Sequence, residues 1–370
     1  MKNRTLVGKP IEKKRNPNID FIRIIGMLAI IIVHMLQHGN AYAKYKRYKE
    51  LRYLNIICKW HVSSFGIISG MVGNQSHKFS NLLYLWFTTI FYMLITGLMY
   101  NRQNLLKNQQ IFFRHIFPVI YGQYWYFSAY FGIYPFLPFI NTSISVLPQI
   151  MVKKSIYFMI GIFIIWASYY NDVFSQNSGY SPFSLLIFYI FGAYIGKYIF
   201  FKRYGIINKF LICSFCFIIF VTISLASYNI GIKNCYPNIN QRLKKIFETN
   251  INSFPILLEV FSIIIFVSQI KFNNFISRFI SFIGYLTFDV YLIHENPYIR
   301  THYIGKYISK QSDNLNLSAV FFMIIKGCLY IFIICIFISF IRNKIFILLK
   351  IKNICIYCES FITKIIYYLI

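Results

Sequence analysis

Acidic residues are scarce in this 370-residue chain: ten Asp and Glu stand against 38 Lys and Arg, and charged residues together make up 13%. A soluble globular domain carries about 25%. So few charges cannot cover a globule of this size with polar surface, which excludes a water-soluble enzyme or binding module. Internal repeats and low-complexity linkers are lacking too, so solenoids are excluded and carriers built from duplicated halves are disfavoured. The eight cysteines supply no zinc framework. The CxxC pairs Cys213/Cys216 and Cys355/Cys358 have no second pair or His cluster nearby, whereas a structural zinc needs four ligands. They read as small apolar fillers of helices, and neither a metal nor a tightly bound cofactor is expected. No small-residue cleavage site follows a short apolar core near the start. The basic stretch with Lys2, Arg4, Lys9, Lys13, Lys14 and Arg15 therefore reads as a cytoplasmic tail before a retained helix, not a signal peptide.

What is abundant is apolar sequence. Hydrophobic residues make up 57% of the chain and fall in long runs. A helix rising about 1.5 Å per residue needs about 20 apolar residues to cross a hydrocarbon core of roughly 30 Å. The runs at 20–38, 56–73, 82–100, 117–140, 154–170, 183–200, 207–228, 254–270, 279–295 and 318–341 meet or approach this length. The expected fold is all-α, a polytopic membrane bundle of about ten helices, with a basic tail at 1–19, the bundle at 20–341 and a basic amphipathic segment at 342–370. That last segment either lies at the interface or forms an eleventh span. The net charge of +28 sits mostly in connections between apolar runs. It implies contact with anionic headgroups of the lipid bilayer and attraction for phosphate-bearing substrates, with no role for nucleic acid. The basic cluster of Lys44, Lys46, Arg47, Lys49 and Arg52 falls on the expected outside, where it either meets an acidic partner or folds back toward the membrane.

Charge inside a span costs roughly 2.5–3.5 kcal/mol on insertion scales and needs a reason. The first span holds Asp20, Arg23, His34 and His38. Eleven residues separate Arg23 from His34, which is roughly three turns plus 20°, so the two share one face about 16 Å apart along the axis. Asp20 lies three residues before Arg23, within pairing reach. Such a stripe belongs in the bundle interior. The simpler alternatives are that Asp20 and Arg23 snorkel to headgroups and that His34 makes a helix-packing hydrogen bond. Elsewhere, Glu259 sits inside an apolar run, where a hydrogen bond to a neighbouring helix is the default expectation.

The residues Arg23-x10-His34, with the lead-in Asn18-Ile19-Asp20-Phe21-Ile22, resemble the first span of the acyltransferase family 3 membrane proteins. Further similar segments follow in family order: Phe65-Gly66-Ile67-Ile68-Ser69-Gly70, Gln123 to Phe127 with Tyr134 to Asn141, Gly192-Ala193-Tyr194-Ile195-Gly196, and Tyr291-Leu292-Ile293-His294. The set resembles most the branch of fucose 4-O-acetylase-like and polysaccharide O-acetyltransferases. One departure stands out: many members carry R-x-x-R after the second span, whereas here Asn74 to Asn81 offers only Lys78 as a fixed charge. If that pair helps hold the acyl donor, this chain must use Lys78, His77 or other loop cations, or its donor binding is altered.

The resemblance implies an O-acyltransferase that moves an acyl group from acetyl-CoA, or another acyl-CoA, to a hydroxyl of a glycan or lipid-linked sugar. His34 is the candidate general base, since a hydroxyl needs its proton removed in the transition state; a transient acyl-His is a second possible role. Arg23 is expected to bind donor phosphate and Asp20 to orient Arg23. His294 is a candidate for acceptor binding or for holding the His34 tautomer, or a plain helix-end His. Trp125, Tyr126 and Tyr134 suit a sugar face, although Trp and Tyr also form interface belts, and Tyr291 is a candidate substrate contact. Ser69 is a candidate contact, but Ser69-Gly70 fits close helix approach better. The alternative class is a transporter or flippase with Arg23, His34 and His294 along its pathway.

Overall fold

The computed structural model describes residues 15–73, 78–167, 174–200, 205–232 and 250–369. Lys2, Arg4, Lys9, Lys13, Lys14, His77 and Cys235 lie outside them. Among the described residues there are helices and no strand, in line with the all-α membrane bundle expected. Seven helices among the described residues are long and apolar enough to cross a membrane: Pro17–His38 (α1), Glu50–Gly73, Phe79–Tyr100, Gln149–Trp166, Ile207–Ile230, Asn274–His294 and Leu317–Leu348. The other three expected spans are shorter or broken. Residues 117–140 fold as helices Trp125–Ile133 and Leu137–Val146 joined by one tight turn at Tyr134–Phe136. Residues 183–200 form Pro182–Tyr198, and 254–270 form Phe254–Ser268.

The first helix sits at the centre. Asn16 caps it, accepting from the backbone N–H of Asn18 at 2.9 Å, and Pro17 occupies the first turn, where its missing N–H costs nothing. Asn18 then donates to the carbonyls of Val267 and Ile270 and so satisfies the open C-terminal end of Phe254–Ser268. The helix packs on Asn274–His294, Leu317–Leu348 and His61–Gly73 (α2). Gly284 lies where α1 crosses Asn274–His294, and a Cβ there would collide with the side chain of Asp20.

The tightest helix contact joins α2 to Pro182–Tyr198 (α3). A Cβ on Gly70 would strike the Tyr189 carbonyl, and one on Gly192 the Ile67 carbonyl. Backbones meet there because small residues let them, which is the usual basis of packing in a medium as apolar as the side chains. The expectation for Ser69-Gly70 as a packing segment agrees with this. Ser69 Oγ turns back on its own helix, donating to the Phe65 carbonyl at 2.9 Å.

Asn274–His294 (α4) is tied to Leu317–Leu348 (α5) by a buried ion pair. Arg342 Nε donates to Asp289 Oδ2 at 2.9 Å, Tyr92 donates to the same oxygen at 2.9 Å, and Arg342 Nη1 donates to Tyr84. The helix runs on unbroken past 341 to Leu348, and Arg342 within it is 3% exposed. A turn then leads to Ile351–Leu369, whose Lys352, Glu359 and Lys364 set it apart from the seven apolar helices. Glu359 accepts from the Phe79 N–H at 2.7 Å, at the same end of the bundle as Asn16. The default expectation for Glu259 also holds, since Ser224 on the neighbouring helix donates to it at 2.8 Å.

The basic cluster after α1 folds back onto the protein. Lys44 donates to the carbonyls of Ser309 and Gln311, Arg47 to those of Asp313 and Leu315, Tyr45 to Ser312 and Tyr48 to Leu315. Lys44 also pairs with the Asp313 carboxylate at 3.0 Å.

Candidate active site

A chamber of about 800 Å³ runs beside α1 and is lined at one end by Arg15 and Arg23 and at the other by His34, His38 and Glu295. The face shared by Arg23 and His34 thus opens on one cavity and not on lipid. Trp125, Tyr126, Tyr291 and Ser69 also line it. Trp125 packs edge-on against Tyr180, ring centroids 4.9 Å apart, so the aromatic wall continues onto the connection before α3.

At the arginine end, Asp20 is 1% exposed and does not reach the chamber. It holds two guanidiniums: Arg23 Nη1 donates to Oδ1 at 2.7 Å, and Arg15 donates through Nε at 3.0 Å and Nη2 at 2.5 Å. One carboxylate against two cations leaves this end net positive. Arg15, read from sequence as part of the basic tail, also lies over the Tyr285 ring.

The histidine end is built where α4 stops. The Glu295 N–H bonds back to the Tyr291 carbonyl at 3.0 Å, and Asn296 caps the next short helix, which opens on Pro297; proline cannot continue the helix above it. Asn296 also donates to Tyr124, which donates to the Leu292 carbonyl. The turn is thereby fixed, and His294 and Glu295 both face α1. His294 Nδ1 is 2.6 Å from the Val290 carbonyl. A carbonyl only accepts, so Nδ1 carries the proton and Nε2 keeps its lone pair. That Nε2 lies 3.1 Å from His34 Nδ1, and Glu295 Oε2 lies 3.0 Å from the same nitrogen. Two acceptors facing one ring nitrogen require it to be protonated, leaving His34 Nε2 with the free lone pair.

Glu295 is itself secured. Arg300 Nη1 donates to Oε1 at 2.6 Å, and His38 Nε2 stands 3.6 Å from Oε2. Burial raises a carboxyl pKa, but the imidazoles of His34 and His38 outweigh it and hold Glu295 below the usual carboxylate range.

The candidates read from sequence thus separate. Arg23, His34, Trp125, Tyr126, Tyr291 and Ser69 line one chamber. His294 is 0% exposed and stands behind His34, its Nε2 on the His34 ring. Lys78 caps Phe79–Tyr100 without lining the chamber, its carbonyl accepting at 2.8 Å from Tyr134, which does line it. Sequence reading missed Glu295, Arg300 and Arg15 as site residues. For Glu295 a signal existed, since it adjoins His294 just before a helix-stopping Asn-Pro. The absence of a metal-ligating set, read from Cys and His spacing, does not extend to His34, His294 and Glu295, whose ligand atoms lie within 4.8 Å of one another.

An oriented imidazole on a buried carboxylate thus lines a chamber within a helical membrane bundle. The family model of the acyltransferase domain (acyltransferase 3) matches residues 16–341, and the chain belongs to that family as a multi-pass membrane acyltransferase. No curated protein and no solved structure matches it.

Proposed function

We propose that the protein transfers an acetyl group from acetyl-CoA to a hydroxyl of a glycan or lipid-linked sugar, as polysaccharide O-acetyltransferases do, with His34 as general base. The single observation that carries this reading is the pair of acceptors on His34 Nδ1, which leaves Nε2 as the base. The acceptor hydroxyl gives its proton to Nε2 while its oxygen attacks the thioester carbonyl. The tetrahedral adduct collapses, the C–S bond breaks, and the departing thiolate takes the proton back from Nε2. Glu295 and His294 hold the ring and steady the imidazolium between these steps, as a third group orients the base in hydrolytic triads.

Arg23, with Arg15 beside it, supplies fixed positive charge for the donor phosphates, about 16 Å along α1 from the base. Asp20 sets their geometry. The extended pantetheine arm of an acyl-CoA bridges such a distance, which supports phosphate binding over direct contact with the oxyanion. Trp125, Tyr126 and Tyr291 offer ring faces to the C–H side of a sugar. The N-terminal end is taken as cytoplasmic, so donor enters from there and acceptor meets His34 near the opposite face.

The test is donor turnover. Purified protein in lipid nanodiscs, given labelled acetyl-CoA and glycan acceptor, should release CoA and label the acceptor, and His34→Ala of unchanged elution profile should do neither. Full transfer by that variant ends the assignment of His34. Comparing glycan mass in cells with and without the gene identifies the acceptor through the acetyl increment.

A further inference from the structure

The atoms that hold His34 in its tautomer also form a donor set for a metal ion. His34 and His38 stand four residues apart on α1, ring centroids 5.1 Å apart, and present both rings to the turn after α4. Two histidines at that spacing on one helix face are a recurrent zinc-binding arrangement. His294 Nε2 and Glu295 Oε2 close the set, at 3.1 and 3.0 Å from His34 Nδ1, and His38 Nε2 is 3.6 Å from Oε2. Around a tetrahedral ion with bonds of about 2.0–2.1 Å, ligand atoms stand about 3.3 Å apart, so small side-chain shifts suffice.

Two further features fit. Glu295 is 6% exposed and turns Oε2 toward the ring nitrogens of His34 and His38, while Arg300 occupies Oε1. His294 donates its other ring N–H to a backbone carbonyl, the usual way a metal-bound histidine is oriented.

We propose that His34, His38, His294 and Glu295 bind one late first-row divalent cation, Zn2+ foremost, and that occupancy switches the transferase off. The ligand chemistry selects the ion: three imidazoles and one carboxylate suit Zn2+ and disfavour Mg2+ or Ca2+, which take oxygen ligands. Binding needs no net proton loss. His34 surrenders Nδ1 to the metal and its proton moves to Nε2, while His294 keeps its Nδ1 proton. The lone pair that would accept the hydroxyl proton is then gone. Whether the metal binds does not depend on the reaction assigned, but the switch rests on His34 acting as the base.

Purified wild type and a Glu295→Gln/His38→Gln double variant are titrated with ZnCl2 in nanodiscs, and bound metal is counted after desalting. The expected result is one more Zn2+ per chain in wild type, since thiols elsewhere bind equally in both. Transfer by wild type should fall more than tenfold at saturating Zn2+ and recover with a chelator. Equal uptake by the two proteins overturns the site. Should the double variant fail to fold, Co2+ added to wild type decides. Intense visible bands of a tetrahedral ion, displaced by Zn2+, support the site, and their absence overturns it. Specific uptake with an unchanged transfer rate overturns the switch and removes His34 as base.

Discussion

The two ends of the chamber solve different physical problems with similar residue types. At the arginine end one buried carboxylate faces two guanidiniums, so positive charge is left over and open to a ligand. At the histidine end the carboxylate faces one guanidinium and two imidazoles, and each ring nitrogen of His34 has a defined state. An unbalanced charge binds; a balanced, oriented network reacts. Losses at the first end should therefore appear in donor KM, and losses at the second in kcat.

The largest effect tests the reactive end. His34→Ala should lower kcat by about 10³-fold, within the range of general-base contributions, with donor KM changed less than threefold in steady-state assays. A KM effect alone would blur the division. Glu295→Gln keeps the side chain's shape but removes its charge, and kcat should drop by about 10–100-fold, as when a group that orients a functional His is lost. At the binding end, Arg23→Ala should raise donor KM by about tenfold, because a charge-assisted hydrogen bond contributes about 1.5–3 kcal/mol, with kcat nearly kept. Competition by dephospho-CoA and CoA for the variant and wild type would sharpen this, since the gap between the two inhibitors should narrow without the guanidinium. The smallest effect is expected for Lys78→Ala. It is exposed and lies off the chamber, so donor KM should change less than twofold. A large rise would move the donor site toward the connection before Phe79–Tyr100. Outside the chamber, Asp289→Asn would leave Arg342 buried without its counter-ion, a loss of about 3–5 kcal/mol, read as a lowered thermal unfolding midpoint.

The first helix was the most legible part of the sequence, because helical periodicity alone places Arg23 and His34 on one face. What was not legible depends on contacts distant in sequence. His34 and Glu295 meet only because α1 and α4 pack together, and no local pattern announces that pairing. Arg15 was hidden by its company, since the five other basic residues of the tail have no visible task in sequence. The expected span at 117–140 came out broken, because a shared hydrophobic tally does not record where Pro135 and Pro138 interrupt a helix. The small-residue segments at Gly70 and Gly192 were easier, since the absence of a side chain in an apolar run has few other uses.

The clasp formed by Lys44, Tyr45, Arg47 and Tyr48 fastens the 309–315 connection through its main-chain oxygens. Every amino acid possesses that oxygen. The gripping side is therefore constrained in identity and the gripped side almost only in path, so drift during evolution should concentrate on the latter, which can acquire new surface chemistry without loosening the clasp.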